Sequence, residues 1–139
     1  MCSGEVDDRD QARFPLPPDA RAPGVARAHT RQFLGRWSLP AVLEPLVLVV
    51  SELVGNAVRY GRPPFELILR RMGRGVRVDV HDERPGFGPT KSEPGRDDEG
   101  GRGLPLVDAV STDRGVDQIP DDGKDVWAVV EPREGDTEA

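Results

Sequence analysis

Apolar residues along the chain fall into a few periodic runs, and two of these runs have the spacing of helices. The first helix is predicted to run from Pro23, which suits a first helical turn, to Trp37. The second, longer helix is predicted to run from Glu44 and Pro45 to about residue 60, with Gly61 as its C-cap. Its core face is a narrow stripe of apolar side chains: Leu46, Val50, Leu53 and Ala57.

Four further runs predict strands. Residues 65–71 and 75–82 have the pattern of a hairpin with its turn at 72–74. Residues 112–119 and 124–131 predict a final strand pair around the turn sequence PDDG. In the second strand of the hairpin, alternate valines share one face: Val76, Val78 and Val80.

The order of these elements predicts the fold class. A proline-rich segment at 13–20 is confined to a sheet edge, because proline cannot donate to a ladder. Residues 83–100 change to proline, glycine and charged side chains, which is typical of a long loop that acts as a lid. The segment GRGLPLVDAV begins another helix before the last strand pair. We therefore expect an α/β fold, a two-layer α/β sandwich in which a mixed sheet carries all helices on one face.

The length of 139 residues fits a single domain, which we expect to span residues 13–131. Residues 1–12 and 132–139 are polar, charged and poor in large apolar groups. Such segments bury too little surface to offset the entropy of ordering, so both are predicted to be disordered tails.

Charge and composition exclude several classes of function. The net charge of -6 repels a phosphate backbone, and no cluster of lysine and arginine interleaved with aromatics offsets it, so direct nucleic-acid binding is disfavoured. Cys2 is the only cysteine, which rules out an internal disulfide. No uninterrupted apolar segment approaches about 18 residues, and the N-terminus lacks the features of a signal peptide. We therefore expect a cytoplasmic protein without a membrane segment.

Two polar residues on the long helix, Glu52 and Asn56, are the first candidates for chemistry. They are four residues apart, so they lie on one side of the helix at the border of the apolar stripe. Their oxygens suit Mg²⁺ and its waters, and the carboxylate could accept a proton from an attacking hydroxyl. The spacing alone also fits an ordinary exposed helix face.

Two further segments add to this pair. Asp82 ends a strand and precedes a loop of glycine and proline, a position where ligands commonly bind. Gly100, Gly101 and Gly103 lead directly into a helix, so backbone N–H groups can approach phosphate oxygens at the positive end of its dipole. The same glycines could also form only a flexible hinge. His81 adjoins Asp82, but a lone strand histidine more often packs or faces solvent than catalyses, and it is not a candidate site residue.

In order and approximate spacing, ELVGNAVRYG, DERPGFG and GRGL resemble the N, G1 and G2 boxes of the histidine-kinase-like ATPase superfamily. The resemblance covers about 14–130, and its compact layout is most similar to the anti-sigma-factor serine/threonine kinase branch of actinobacteria. It implies a Bergerat-type ATP-binding fold, with ATP and Mg²⁺ as cofactors. It also implies a sigma factor or an anti-sigma-factor antagonist as the partner, and a possible homodimer.

The resemblance also implies roles for individual residues. Asn56 would ligate Mg²⁺ between the phosphates, and Glu52 would be the general base for a serine or threonine hydroxyl of the partner. Asp82 would hydrogen-bond the adenine amino group. Other residues would let the loops approach the purine or support the phosphate-binding helix start and the lid hinge: Gly86, Gly101, Gly103 and Leu104.

The chain departs from the family pattern at several positions. Arg84 stands at the first glycine of the G1 box, and Tyr60 stands where the N box commonly ends in histidine. Lys124 and Asp125 occupy the later strand where many relatives carry a threonine near the adenine.

Two functions remain open. One is an ATP-dependent serine kinase that sequesters a sigma factor and phosphorylates a small antagonist protein. The other is a nucleotide-dependent binding module without phosphotransfer, which the departures at Arg84 and at the missing threonine favour. A full sensor kinase or a gyrase-like ATPase would need domains beyond the single one that this length fits.

Overall fold

A computed structural model of the chain describes residues 6–7, 10–84 and 103–132. In these residues the elements are β1 (Val6–Asp7), β2 (Gln11–Leu16), α1 (Ala22–Trp37), α2 (Pro40–Tyr60), β3 (Phe65–Met72), β4 (Gly75–Asp82), α3 (Gly103–Val110), β5 (Asp113–Gln118) and β6 (Lys124–Val130). The predicted first helix and hairpin strands are confirmed to within one residue at each end. Gln11 and Ala12, assigned above to the N-terminal tail, lie in β2 and pair with β1.

The strands form one sheet in the order β1-β2-β3-β4-β6-β5. The expected two-layer α/β sandwich is confirmed, but the expectation of a mixed sheet is corrected, because every described pairing is antiparallel. The physical reason is the position of β6. β4 and β5 run in the same direction, but β6 lies between them and runs opposite to both, so no parallel pair forms.

All helices of the described residues pack on one face of the sheet, which we call the helix side. α1 contacts β2 and β3, while α2 contacts β4 and β6. The alternate valines of β4 share this face, as predicted, and all three are fully buried: Val76, Val78 and Val80. Asp82 has the same parity and therefore also points to the helix side, whereas His81 and Glu83 point to the opposite, open face.

The long helix α2 begins at Pro40, four residues before the predicted start. Pro40 occupies the first helical turn, where the missing N–H costs no hydrogen bond, and Pro45 lies inside the helix. The predicted core stripe is confirmed, since all four of its side chains are buried: Leu46, Val50, Leu53 and Ala57. α2 is also long and apolar enough to cross a membrane by length and composition alone, with a mean hydropathy of 1.7. In this fold it is the central helix of the core.

Candidate functional site

Glu52 and Asn56 lie on α2 at the edge of its buried stripe, and both side chains are half-buried. Gly55 lies between them, and a methyl group there would meet no described atom within 4 Å other than the backbone of its own helix, so the described residues leave open space beside the pair. Among the described residues, no hydrogen bond or ion pair engages either side chain. A carboxylate and a carboxamide are thus side by side, partly sheltered and available to a ligand.

The C-terminal end of this helix lies against the end of β4. A Cβ atom at Gly61 would stand 2.7 Å from the carboxylate of Asp82, so only glycine fits there without displacing a neighbour. The backbone N–H of Glu83 donates to the carbonyl of Arg62 at 2.8 Å. These contacts join the end of α2 directly to the strand end that carries Asp82.

Asp82 itself is not a free carboxylate. It is 1% exposed, and the ammonium group of Lys124, 2% exposed, donates to its Oδ1 at 3.0 Å and its Oδ2 at 2.8 Å. Oδ1 also accepts the backbone N–H of Arg84 at 2.8 Å and that of Arg62 at 3.4 Å. Oδ1 therefore has three donors and Oδ2 has one, so the ion pair with Lys124 engages both oxygens, and one lone pair of Oδ2 stays unused by the described residues.

The ion pair between Asp82 and Lys124 is placed by the register of the sheet. The two residues are directly paired at the end of the β4–β6 ladder. Gly123, immediately before Lys124, has a φ of 81°, in the left-handed region that favours glycine. A Cβ atom there would overlap the backbone oxygen of Asp82, so the turn before β6 presses closely on the end of β4.

The predicted phosphate-binding segment is described only in part. Gly103 is the first residue of α3 and Leu104 follows it, so the predicted helix start is confirmed. α3 packs on α2, and its Val107 is fully buried in the core. Gly86 and Gly101 lie outside the described residues.

A family model for histidine kinase-like ATPase domains matches residues 15–130. The chain belongs to this family. The matched range includes α2, α3 and the Asp82–Lys124 pair. Membership of this family implies that the domain binds ATP. A search of curated protein sequences found no match.

The side chains of this histidine kinase-like ATPase domain differ in availability between the two ends of the site. Asn56 offers an uncommitted amide oxygen, a hard ligand of the kind that Mg²⁺ accepts. Asp82 is buried and ion-paired, so an adenine amino group at this carboxylate would share it with Lys124, Arg84 and Arg62. Sequence reasoning noted Lys124 as a departure but did not find its partner, which lies 42 residues away.

A second cluster of ionisable groups surrounds His81 on the open face. Its Nδ1 lies 2.7 Å from Oδ1 of Asp125, and its Nε2 lies 2.7 Å from Oε2 of Glu83. Burial lowers the pKa of His81, but the hydrogen bonds to Glu83 and Asp125 outweigh it, and the pKa is raised. Burial raises the pKa of Asp125. Sequence reasoning excluded His81 as a lone strand histidine, although the i, i+2 spacing to Glu83 already placed a carboxylate on the same face.

Proposed function

We propose that this domain is an ATP-binding regulatory protein of the anti-sigma-factor kinase type. It transfers a phosphoryl group from ATP to a serine or threonine of a small antagonist protein in the cytoplasm, and it binds a sigma factor. The proposal rests on two side chains of α2 that have no hydrogen-bond or ion-pair partner among the described residues. Glu52 and Asn56 lie on one half-buried side of the helix, with open space at Gly55.

Each side chain of the pair has a separate task. Asn56 would hold Mg²⁺, and ATP·Mg²⁺, when bound, would supply the reactive phosphoryl group. Glu52 accepts the proton of the partner's hydroxyl as its oxygen forms the new P–O bond, while the bond to the leaving ADP breaks. Phosphoryl transfer requires mainly positioning and charge neutralisation, which these two groups can provide.

Substitution of the pair should separate binding from transfer. With labelled ATP, Mg²⁺ and purified candidate antagonists, Glu52→Ala is expected to lower the rate of label transfer about 10²–10⁴-fold, the usual contribution of a general base, while ATP binding remains. Asn56→Ala should weaken binding of ATP·Mg²⁺ as well. Glu44→Ala is the matched control, because Glu44 lies on the same helix but pairs with Arg31 on the exposed side. Unchanged transfer by Glu52→Ala would contradict its role as base.

A second function, a nucleotide-dependent binding module without phosphotransfer, is favoured by the ion pair at Asp82. ATP that uses this carboxylate for its adenine competes with the ammonium group of Lys124, which engages both oxygens. Nucleotide binding would then be coupled to opening of the buried ion pair. ATP binding by the wild type with no label transfer to any antagonist would support this second function.

Lys124→Thr is expected to raise the affinity for ATP. The threonine hydroxyl can still donate to Asp82, but it leaves more of the carboxylate free for the adenine amino group. A hydrogen bond to a charged group contributes about 1.5–3 kcal/mol, or about 10–160-fold in affinity. Isothermal titration calorimetry on variants that circular dichroism shows to be folded would measure the change. Arg71→Thr removes the same charge from an exposed position at the far end of β3 and should bind ATP like the wild type. Equal affinities of Lys124→Thr and wild type would show that Lys124 does not obstruct the site.

A further inference from the structure

We propose that His81, Glu83 and Asp122 form a binding site for a divalent transition-metal ion of the Zn²⁺ class, in which Asp125 positions the histidine. One ligand atom from each of the three residues lies within 4.8 Å of the others. The proposal does not depend on ATP binding or on phosphotransfer, because it uses the opposite face of the sheet from Asp82.

The three ligands come together from two segments of the fold. His81 and Glu83 are two residues apart at the end of β4, so both side chains point to the open face. Asp122 lies in the turn between β5 and β6, which bends back over this strand end. The set is therefore built by the sheet and its turn, and is not a run of neighbouring acidic residues.

The ligand atoms need only small shifts to hold one ion. Zn²⁺ binds imidazole nitrogen and carboxylate oxygen at about 2.0–2.2 Å, which places tetrahedral ligand atoms about 3.3 Å apart. Oε2 of Glu83 lies 2.7 Å from Nε2 of His81, so these two atoms would separate slightly around the ion, while the oxygen of Asp122, within 4.8 Å of the others, would move closer. Asp122 is exposed and Glu83 is half-buried, so both carboxylates can rotate to the ion while His81 stays in place.

Asp125 holds the histidine ligand in its orientation. It is the register partner of His81 on β6, and its Oδ1 lies 2.7 Å from Nδ1. A carboxylate at this nitrogen holds the proton on Nδ1 and aims the lone pair of Nε2 at a metal, which orients the ring and makes it a stronger ligand. Metal binding then displaces only the proton on Nε2.

The ligand chemistry selects the kind of ion. Mg²⁺ and Ca²⁺ take oxygen ligands, whereas an imidazole nitrogen beside two carboxylates suits Zn²⁺ and its neighbours among the transition metals. A fourth position would be open to solvent on the side of a cavity of about 330 Å³, which Arg62 and Glu83 line with the turn at 118–123. The ion would clamp the end of β4 to the β5–β6 turn.

The test is titration of the full-length, metal-free chain with Zn²⁺, without a histidine tag and in a Cys2→Ser background, because a thiolate would bind zinc by itself. We expect one saturable Zn²⁺ per chain in calorimetry. His81→Ala should lower the affinity for Zn²⁺ at least about 100-fold. Asp122→Asn changes an exposed side chain without disturbing the fold and should lower the affinity about 10-fold or more. His29→Ala, at the chain's other histidine, is the matched control and should bind like the background protein.

The positioning role of Asp125 has its own readout. Asp125→Asn should weaken Zn²⁺ binding about 10–100-fold. In the zinc-bound chain, a long-range ¹H–¹⁵N spectrum should show the remaining imidazole proton of His81 on Nδ1. Absence of saturable Zn²⁺ binding, binding that survives His81→Ala unchanged, or binding lost in His29→Ala would each overturn the proposal.

Discussion

Replacing Lys124 by methionine is expected to lower the free energy of unfolding by about 3–5 kcal/mol. The substitution keeps the volume and the apolar stem but leaves the carboxylate of Asp82 buried at 1% exposure with only backbone N–H donors. Removing one partner of a buried pair leaves a charge whose lost hydration is no longer offset, and this is among the largest effects of a single substitution. Denaturant unfolding followed by tryptophan fluorescence would measure the loss.

A double-mutant cycle separates the charge from the packing. Asp82→Asn alone should also be costly, because it leaves the ammonium group of Lys124 buried without its counter-ion. Asp82→Asn/Lys124→Met removes both charges and keeps an acceptor for the N–H of Arg84, so it should recover much of the combined loss. Arg31→Met is the matched control. It breaks the exposed Arg31–Glu44 pair, and such a pair contributes about 0–1 kcal/mol.

Two outcomes would contradict this description of the pair. Either Lys124→Met unfolds within about 1 kcal/mol of the wild type, or the two single losses simply add in the double variant. The first would mean that the carboxylate is hydrated or protonated in the folded state. The second would mean that the two side chains do not interact.

The positions of the helices and strands can be predicted from the local sequence, but which strands lie next to each other in the sheet cannot. The alternation of valines in β4 predicts both its bounds and its buried face, because each strand residue switches faces. The start of α2 was misplaced because Pro40 and Pro45 both suit a first helical turn. The two predicted strand pairs, β3–β4 and β5–β6, are confirmed as antiparallel, but the expectation of a mixed sheet was wrong. The antiparallel sheet depends on β6 lying between β4 and β5, and no local pattern specifies that arrangement.

The same limit applies to the site. Glu52 and Asn56 lie on the same side of α2 because they are four residues apart in a helix, and this could be predicted from their spacing. The ion pair of Asp82 could not, because its partner Lys124 lies 42 residues later on another strand and meets it only through the sheet register. The contact between His81 and Asp125 has the same origin, since those residues are also register partners.

Gly123→Ala is expected to destabilise the domain by about 2–6 kcal/mol. A non-glycine residue at its φ of 81° carries a backbone strain of about 1–3 kcal/mol. The added methyl would overlap the backbone oxygen of Asp82 and lie 2.8 Å from Cα of Glu83, and forcing such neighbours apart costs about 1–3 kcal/mol more. Guanidinium unfolding would measure the loss.

Gly35→Ala is the matched control, because Gly35 is exposed inside α1 and a methyl group there meets no atom within 4 Å. It should stabilise the domain by about 0.5–1 kcal/mol, the usual gain of alanine over glycine in a helix. The backbone of Gly123 and the ammonium group of Lys124 hold the same strand end. Gly123→Ala and Lys124→Met should therefore be non-additive when combined, since the shifted turn already draws Lys124 away from Asp82. A Gly123→Ala variant as stable as the wild type would show that the turn before β6 does not press on β4.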